Sequence, residues 1–188
     1  FHNPNAMDNI IELIEKYFSA IESSNQISDS KVVEQVSLSE NKKIIHFDNV
    51  QLERIYLAWH SNKYFSNDDA SLDLLSHILS GSKNSRLQKN LIFEKELVQN
   101  VSAFNISAKY GGFFVITATA KPNISLDKIQ DEIFYEINKL INEGISLDEL
   151  DRAKNVVKSS FIYSIQSLDI LADQFNNYNF YLGQPDSF

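Results

Sequence analysis

Ile10, Leu13, Ile14, Tyr17, Phe18 and Ile21 recur at three- and four-residue steps, the spacing that lines side chains along one stripe of an α-helix. The spacing predicts an amphipathic helix over this stretch. Ser23-Ser24-Asn25-Gln26-Ile27-Ser28-Asp29-Ser30 follows without periodicity and is rich in turn formers, so it reads as a linker or loop. Three stretches with strand character come next, at Val32 to Leu38, Lys43 to Val50 and Arg54 to His60. The third alternates Ile55, Leu57 and Trp59 with Tyr56, Ala58 and His60, a two-residue period that sends the two sets to opposite faces. Asn67-Asp68-Asp69 then offers a cap and first-turn acids for a helix carrying Leu72, Leu75, Ile78 and Leu79, which Gly81 ends. A shorter helical stretch is expected from about Ser85 to Lys95.

Two further strands are predicted, Val101 to Ala108 and Phe113 to Ala120, joined through Lys109-Tyr110-Gly111-Gly112. A Gly-Gly pair between two β-rich apolar runs reads as a hairpin turn, and Pro122 stops the second strand. Leu126, Ile129, Ile133, Ile137, Leu140 and Ile141 form the apolar face of a long helix closed by Gly144. The next helix has a full start signal: Ser146 as cap, Glu149 three residues on, and Ile145 with Leu150 as a staple. It should run to about Ile165, and a last helix covers roughly Leu168 to Leu182 before Gly183. Strands cluster and do not alternate with helices, so the fold class is α+β, an antiparallel-rich sheet packed against several helices.

Composition narrows the function. The chain has 188 residues, with 17 Lys+Arg against 25 Asp+Glu for a net charge of −8. An acidic chain lacks the electrostatic footprint of a nucleic-acid binder, so no nucleic-acid partner is expected. No apolar run approaches the roughly 18 residues of a membrane span. Cysteine is absent, which removes disulfides, thiolate nucleophiles and Cys-ligated metals together. The histidines are His2, His46, His60 and His77; no pair has the four-residue helical spacing of a zinc helix, and neither His-Glu-x-x-His nor His-x-x-Glu-His occurs. Asp73 and His77 lie one helical turn apart and read as an exposed pair on an ordinary helix. His46 and His60 fall on predicted neighbouring strands but have no third ligand. No Gly-x-Ser-x-Gly elbow occurs, and Gly81-Ser82-Lys83-Asn84-Ser85 lacks the second glycine of a phosphate loop. The carboxylates of Asp68-Asp69, Asp148-Glu149 and Asp151 sit in first turns, where the helix dipole alone favours them. No catalytic residue and no metal ligand set emerges.

Several segments taken in order nevertheless resemble one family. They are Leu75-x-x-Ile78-Leu79-Ser80-Gly81, Ser85-Arg86-Leu87, Glu94-Lys95, Val101-Ser102-Ala103, Gly111-Gly112-Phe113-Phe114, Ala118-Thr119-Ala120-Lys121-Pro122, Glu149-Leu150-Asp151-Arg152-Ala153-Lys154 and the tail from Tyr178 to Pro185. As a set they resemble the second, zinc-free domain of the insulinase/pitrilysin-type zinc metallopeptidases, which include mitochondrial processing peptidase. The resemblance spans about Ile44 to Phe188, and the helix with Glu15-Lys16-Tyr17-Phe18 resembles the last helix of the preceding domain in that family.

The resemblance implies one half of a two-half clamshell. Residues 1–30 would comprise a vector remnant or boundary before Met7, the last helix of a preceding domain and a linker. Residues 31–188 would be the C-terminal-type domain, truncated at its own C-terminus. The other half would bring the zinc on a His-x-x-Glu-His helix, so the cofactor expectation is none in this chain and zinc in a partner domain or subunit. The implied partners are that zinc-bearing half and a peptide substrate. The family's second half supplies an Arg and a Tyr seven residues apart that bind the substrate carbonyl. At the matching positions this chain has Phe93 and Asn100; Asn100 retains a donor and Phe93 has none. These two are the substrate-binding candidates, while Arg86 of the Ser-Arg-Leu segment reads as a loop anchor. The implied function is closing the chamber and helping to bind peptide for hydrolysis by the partner, with this chain inactive alone. Its alternatives are a non-catalytic assembly domain of the same fold, like respiratory-complex core proteins, and an unrelated α+β ligand-binding domain. The Ile-, Asn- and Lys-rich composition fits a low-GC bacterial genome, and the resemblance leans towards a periplasmic over a cytoplasmic location.

Overall fold

The computed structural model describes residues 6–22 and 38–187. The chain divides into two units, Phe1–Glu34 and Gln35–Phe188. Helix α1, Ala6–Phe18, lies in the first. Its stripe of Ile10, Leu13, Ile14, Tyr17 and Phe18 is at least half exposed at every position.

The second unit is built on three antiparallel strands, β1 (Arg54–Ser61), β2 (Val98–Ser107) and β3 (Gly112–Ala120). Their order in space is β1-β3-β2, so the hairpin's second strand takes the centre. Around the sheet stand α2 (Asp69–Ser80), a π-helix (Gln88–Glu94), α3 (Leu126–Glu143), α4 (Leu147–Ser164) and α5 (Leu168–Leu182). The antiparallel sheet with its helices is the α+β architecture expected.

Register decides which side chains form the core. Ile55 pairs with Ala118, Leu57 with Ile116 and Trp59 with Phe114. Across the other edge of β3, Val101 pairs with Ala118 and Ala103 with Ile116. Directly paired residues share a face, and this one meets Leu79 of α2, Leu91 of the π-helix, and Ile129 and Ile133 of α3 in a single buried cluster. Gly112 lets the turn close. A Cβ there would lie 2.4 Å from the Ile106 carbonyl oxygen and 2.6 Å from Ser61 Oγ, so the hairpin admits no side chain at that point.

The helix ends follow local chemistry. Ser125 Oγ accepts from the Lys128 N–H at the start of α3, and Gly144, at φ +78°, ends it in a conformation that disfavours side chains. At α4 the capping box is complete: Ser146 Oγ accepts from the Glu149 N–H at 3.3 Å, and Glu149 Oε2 accepts from the Ser146 N–H at 2.9 Å. Ser146→Ala is expected to lower stability by about 1 kcal/mol, within the range of Ser caps, read as a drop in the urea midpoint with unchanged slope.

Helix α5 is held differently. None of its residues is buried. Tyr181 meets Tyr64 edge-on at 4.9 Å, and Tyr178 lies 5.2 Å from Phe65. Phe65 has the left-handed φ of +58°, rare for a bulky side chain. Its N–H donates to the carboxylate of buried Asp69 at 2.9 Å, and the other Asp69 oxygen accepts from Asn105 on β2, also at 2.9 Å.

One of the three clustered strand expectations changes. Residues 43–50 form no strand and are exposed throughout, Ile44 at 77% and Phe47 at 89%. β-branched and aromatic residues favour a strand only where a neighbouring ladder takes up their backbone groups, and β1 pairs with β3. The stretch from Val32 to Leu38 lies outside the described residues except for Leu38, which is in no element. The helical stretch after Gly81 is present, but in the wider π form, with the Lys95 N–H reaching back five residues to the Asn90 carbonyl.

Candidate functional site

The sheet face opposite the core stands largely bare. Its cross-strand rows, read from the register, are Arg54–Thr119–Asn100, Tyr56–Thr117–Ser102, Ala58–Val115–Phe104 and His60–Phe113–Ile106. Tyr56 is 64% exposed, and Phe113 and Ile106 are each 51% exposed. A contiguous apolar surface of this kind marks an interaction site more often than a free one. The rows are graded: two carry hydrogen-bonding groups, and two carry aromatic and aliphatic ones. Arg54 Nε donates to Thr119 Oγ1 at 2.9 Å, and His60 stacks on Phe113 at 5.7 Å between centroids. Sequence reasoning passed over this face. The available signal was that β2 and β3 are apolar at both parities, Phe104, Ile106, Phe113 and Val115 on one and Ala103, Phe114 and Ile116 on the other.

Asn100 belongs to this face. A register irregularity between Val98 and Asn100 leaves Gln99 unpaired and sets Asn100 opposite Thr119, so its exposed amide lies in the row of Arg54. Phe93 sits near the end of the π-helix, 52% exposed. No hydrogen bond or ring contact joins the two among the described residues. The π-helix itself is tied down by Asn90, whose side chain donates to Glu136 of α3 at 2.9 Å, with both residues buried.

Arg86 anchors a loop. Its Nε and Nη2 donate to the two oxygens of Glu149 at 2.7 and 2.9 Å, and Nη2 also donates to the Gly144 carbonyl at 2.8 Å. The side chains are 13% and 18% exposed. One guanidinium thus fastens the segment before the π-helix to the turn between α3 and α4, in the bidentate geometry that suits Arg. The hydrogen bonds from Arg86, helped by those from Ser146, pull the Glu149 carboxyl down from 4.5 to about 2 against the opposing effect of burial. The same pair raises the pKa of Arg86.

Among the described residues no group of three His, Cys, Asp or Glu side chains is placed to hold a metal. His60 and His46 are not on neighbouring strands, because residues 43–50 form none. Asp73 is less ordinary than its spacing suggests. Burial first, then the Asp69 charge, raise its pKa, opposed by a hydrogen bond from Asn105 and by His77. No helix among the described residues is long and apolar enough to cross a membrane.

Known proteins resemble this chain over most of its length. The zinc protease PqqE of Helicobacter pylori is 28% identical over 175 residues, which are 90% of this chain and 38% of that protein. A probable mitochondrial-processing peptidase subunit beta of Arabidopsis thaliana is 25% identical across 88% of the chain and 33% of its own length. The chain therefore spans well under half of these relatives. A crystal structure of a protease from Helicobacter pylori superposes with a TM-score of 0.75 at 29% identity, covering 95% of this chain and 43% of that one. Complex III from Candida albicans shares the fold, with a TM-score of 0.63 at 18% identity over 73% of this chain and 35% of the other. A family model described as the peptidase M16 inactive domain matches residues 7–157. On that match the chain belongs to the inactive-domain family of the M16, or insulinase-type, zinc peptidases, whose second and zinc-free domain its motifs resemble.

Proposed function

We propose that this chain is the supporting half of a zinc endopeptidase, closing a chamber around peptide while a zinc-bearing partner domain performs the hydrolysis. The observation that carries the reading is the arrangement of the sheet: α2, the π-helix and α3 pack on one face, and the other is largely bare, apolar and edged with hydrogen-bonding groups. Such a face offers an extended peptide both side-chain contacts and polar partners. Asn100 stands in its polar row as a donor for a substrate carbonyl, and Phe93 contributes apolar contact only. Residues 31–188 form the C-terminal-type domain in this reading. Residues 1–30 hold the last helix of a preceding domain and a linker.

The zinc belongs to the partner. The isolated chain is expected to hold less than one-tenth of an equivalent of zinc at neutral pH by elemental analysis after dialysis, roughly the background of a protein with no three-ligand set. One tightly held zinc per chain would overturn this.

The test of the proposal is peptide cleavage by the chain alone and mixed with its zinc-bearing partner, with and without chelator. Chelator-sensitive cleavage in the mixture alone supports the supporting-half reading. No cleavage with a folded, zinc-loaded partner favours the second reading, an assembly domain. The fold shared with Complex III and the loss of a donor at Phe93 support that one.

A further inference from the structure

The bare sheet face has a chemical direction. Along β1, from Arg54 to His60, its rows pass from arginine, threonine and asparagine, through tyrosine, threonine and serine, to alanine, valine and phenylalanine, and finally to histidine, phenylalanine and isoleucine. Arg54 is the sole Lys or Arg in the four rows, and no Asp or Glu stands in them. This is a local reversal in a chain of net charge −8. The Arg54 guanidinium is held in place, with Nε on Thr119 Oγ1 at 2.9 Å and Nη1 on the Tyr56 hydroxyl at 3.4 Å. Its Nη2 makes no hydrogen bond among the described residues. An oriented cation with open donors suits a carboxylate.

From Arg54 to His60 is six residues, roughly 20 Å at the rise of an antiparallel strand. An extended ligand lying parallel to the strands traverses the same distance in about six residues of its own.

We infer that this face selects extended peptides bearing a carboxylate side chain about six residues from an aromatic or branched aliphatic one, the acid meeting Arg54 and the apolar group meeting Phe104, Ile106 and Phe113. The inference rests on the reading that the face meets peptide, and adds which peptide. The bare apolar rows alone would accept any hydrophobic segment. The single cation at a fixed distance supplies the discrimination.

The test is fluorescence anisotropy of the chain with ten-residue peptides labelled at the N-terminus. One peptide carries Glu six positions from a Phe, one carries the same residues with Glu beside Phe, and one replaces the Glu of the first by Gln. The spaced peptide is expected to bind about tenfold more tightly than the adjacent one, since only it buries its ring while reaching Arg54. Replacing its Glu by Gln is expected to weaken binding about threefold to fivefold, the scale of an exposed ion pair. On an Arg54→Gln chain the Glu and Gln peptides should bind equally. The peptide-side change cannot disturb folding, so it stands whatever the variant does. Equal binding of spaced and adjacent peptides, or Glu-over-Gln preference surviving in Arg54→Gln, overturns the inference. Peptide cleavage in the mixture with no spacing preference would remove the inference alone and leave the proposed function standing. Absence of binding by every peptide up to millimolar concentration would remove both the inference and the peptide contact it rests on.

Discussion

Truncating Ile116 to alanine is expected to lower the unfolding free energy by about 3–4 kcal/mol, near the middle of the range for emptying a buried aliphatic site. Ile116 is fully buried in the central strand, paired with Leu57 on one side and Ala103 on the other. The residues above it, Leu79, Leu91, Ile129 and Ile133, come from three different helices, and a cavity at their meeting point cannot be refilled by one side chain turning inward. The bare outer face makes the loss more telling, because the sheet draws its burial from a single side. The check is urea denaturation, with the midpoint lowered and the slope unchanged. The equivalent truncation of Phe113 on the outer face, 51% exposed, should cost far less.

Glu149→Ala is expected to cost about 2 kcal/mol, below the range for removing one partner of a fully buried ion pair because both side chains keep some contact with water. The change removes both acceptors of the Arg86 fork and the acceptor for the Ser146 N–H at once. Arg86 Nη1 already lacks a partner among the described residues, so the guanidinium would keep only the Gly144 carbonyl. The double variant Arg86→Met with Glu149→Leu should recover part of the loss, since it leaves no stranded charge. The pH dependence has a definite sign. A carboxyl depressed from 4.5 to about 2 contributes stability that is fully present above about pH 4.5 and is lost as pH falls towards 2. The gap in urea midpoint between the parent chain and Glu149→Gln should therefore narrow across that window. Asp73 acts in the opposite direction, because its raised pKa makes its ionised form unfavourable to the fold.

How much of this was legible beforehand depended on range. The end of α3 and the start of α4 were readable because Gly144, Ser146 and Glu149 settle them within a few residues, whereas the Ser125 cap of α3 was passed over. The β2–β3 hairpin was readable from Gly111-Gly112 and the apolar runs beside it. What β1 pairs with was not: its partner β3 lies more than fifty residues along the chain, and the nearby residues 43–50 carry strand propensity that nothing takes up. The π form of residues 88–94 was hidden for a similar reason, since Asn90 is fixed by Glu136, 46 residues away. Arg86 could be placed as an anchor from its motif, but Glu149 as its partner could not, because the spacing of 63 residues carries no period. Asn100 was named as a candidate without its face, since a register irregularity beside it changes which way the strand's residues point.

The attachment of α5 sets the order in which the second unit comes apart. A helix with no buried residue, fastened by Tyr178 and Tyr181 to Tyr64 and Phe65, can open without disturbing the cluster around Ile116. Its amide hydrogens are therefore expected to exchange with solvent through a local opening, well below the free energy of global unfolding, while those of β3 wait for the whole unit. The left-handed backbone at Phe65 outlasts that event, because the Asp69 carboxylate and the Tyr64 ring that hold it lie outside α5. Native-state exchange is therefore expected to divide this unit into an early-opening α5 and a late-opening sheet.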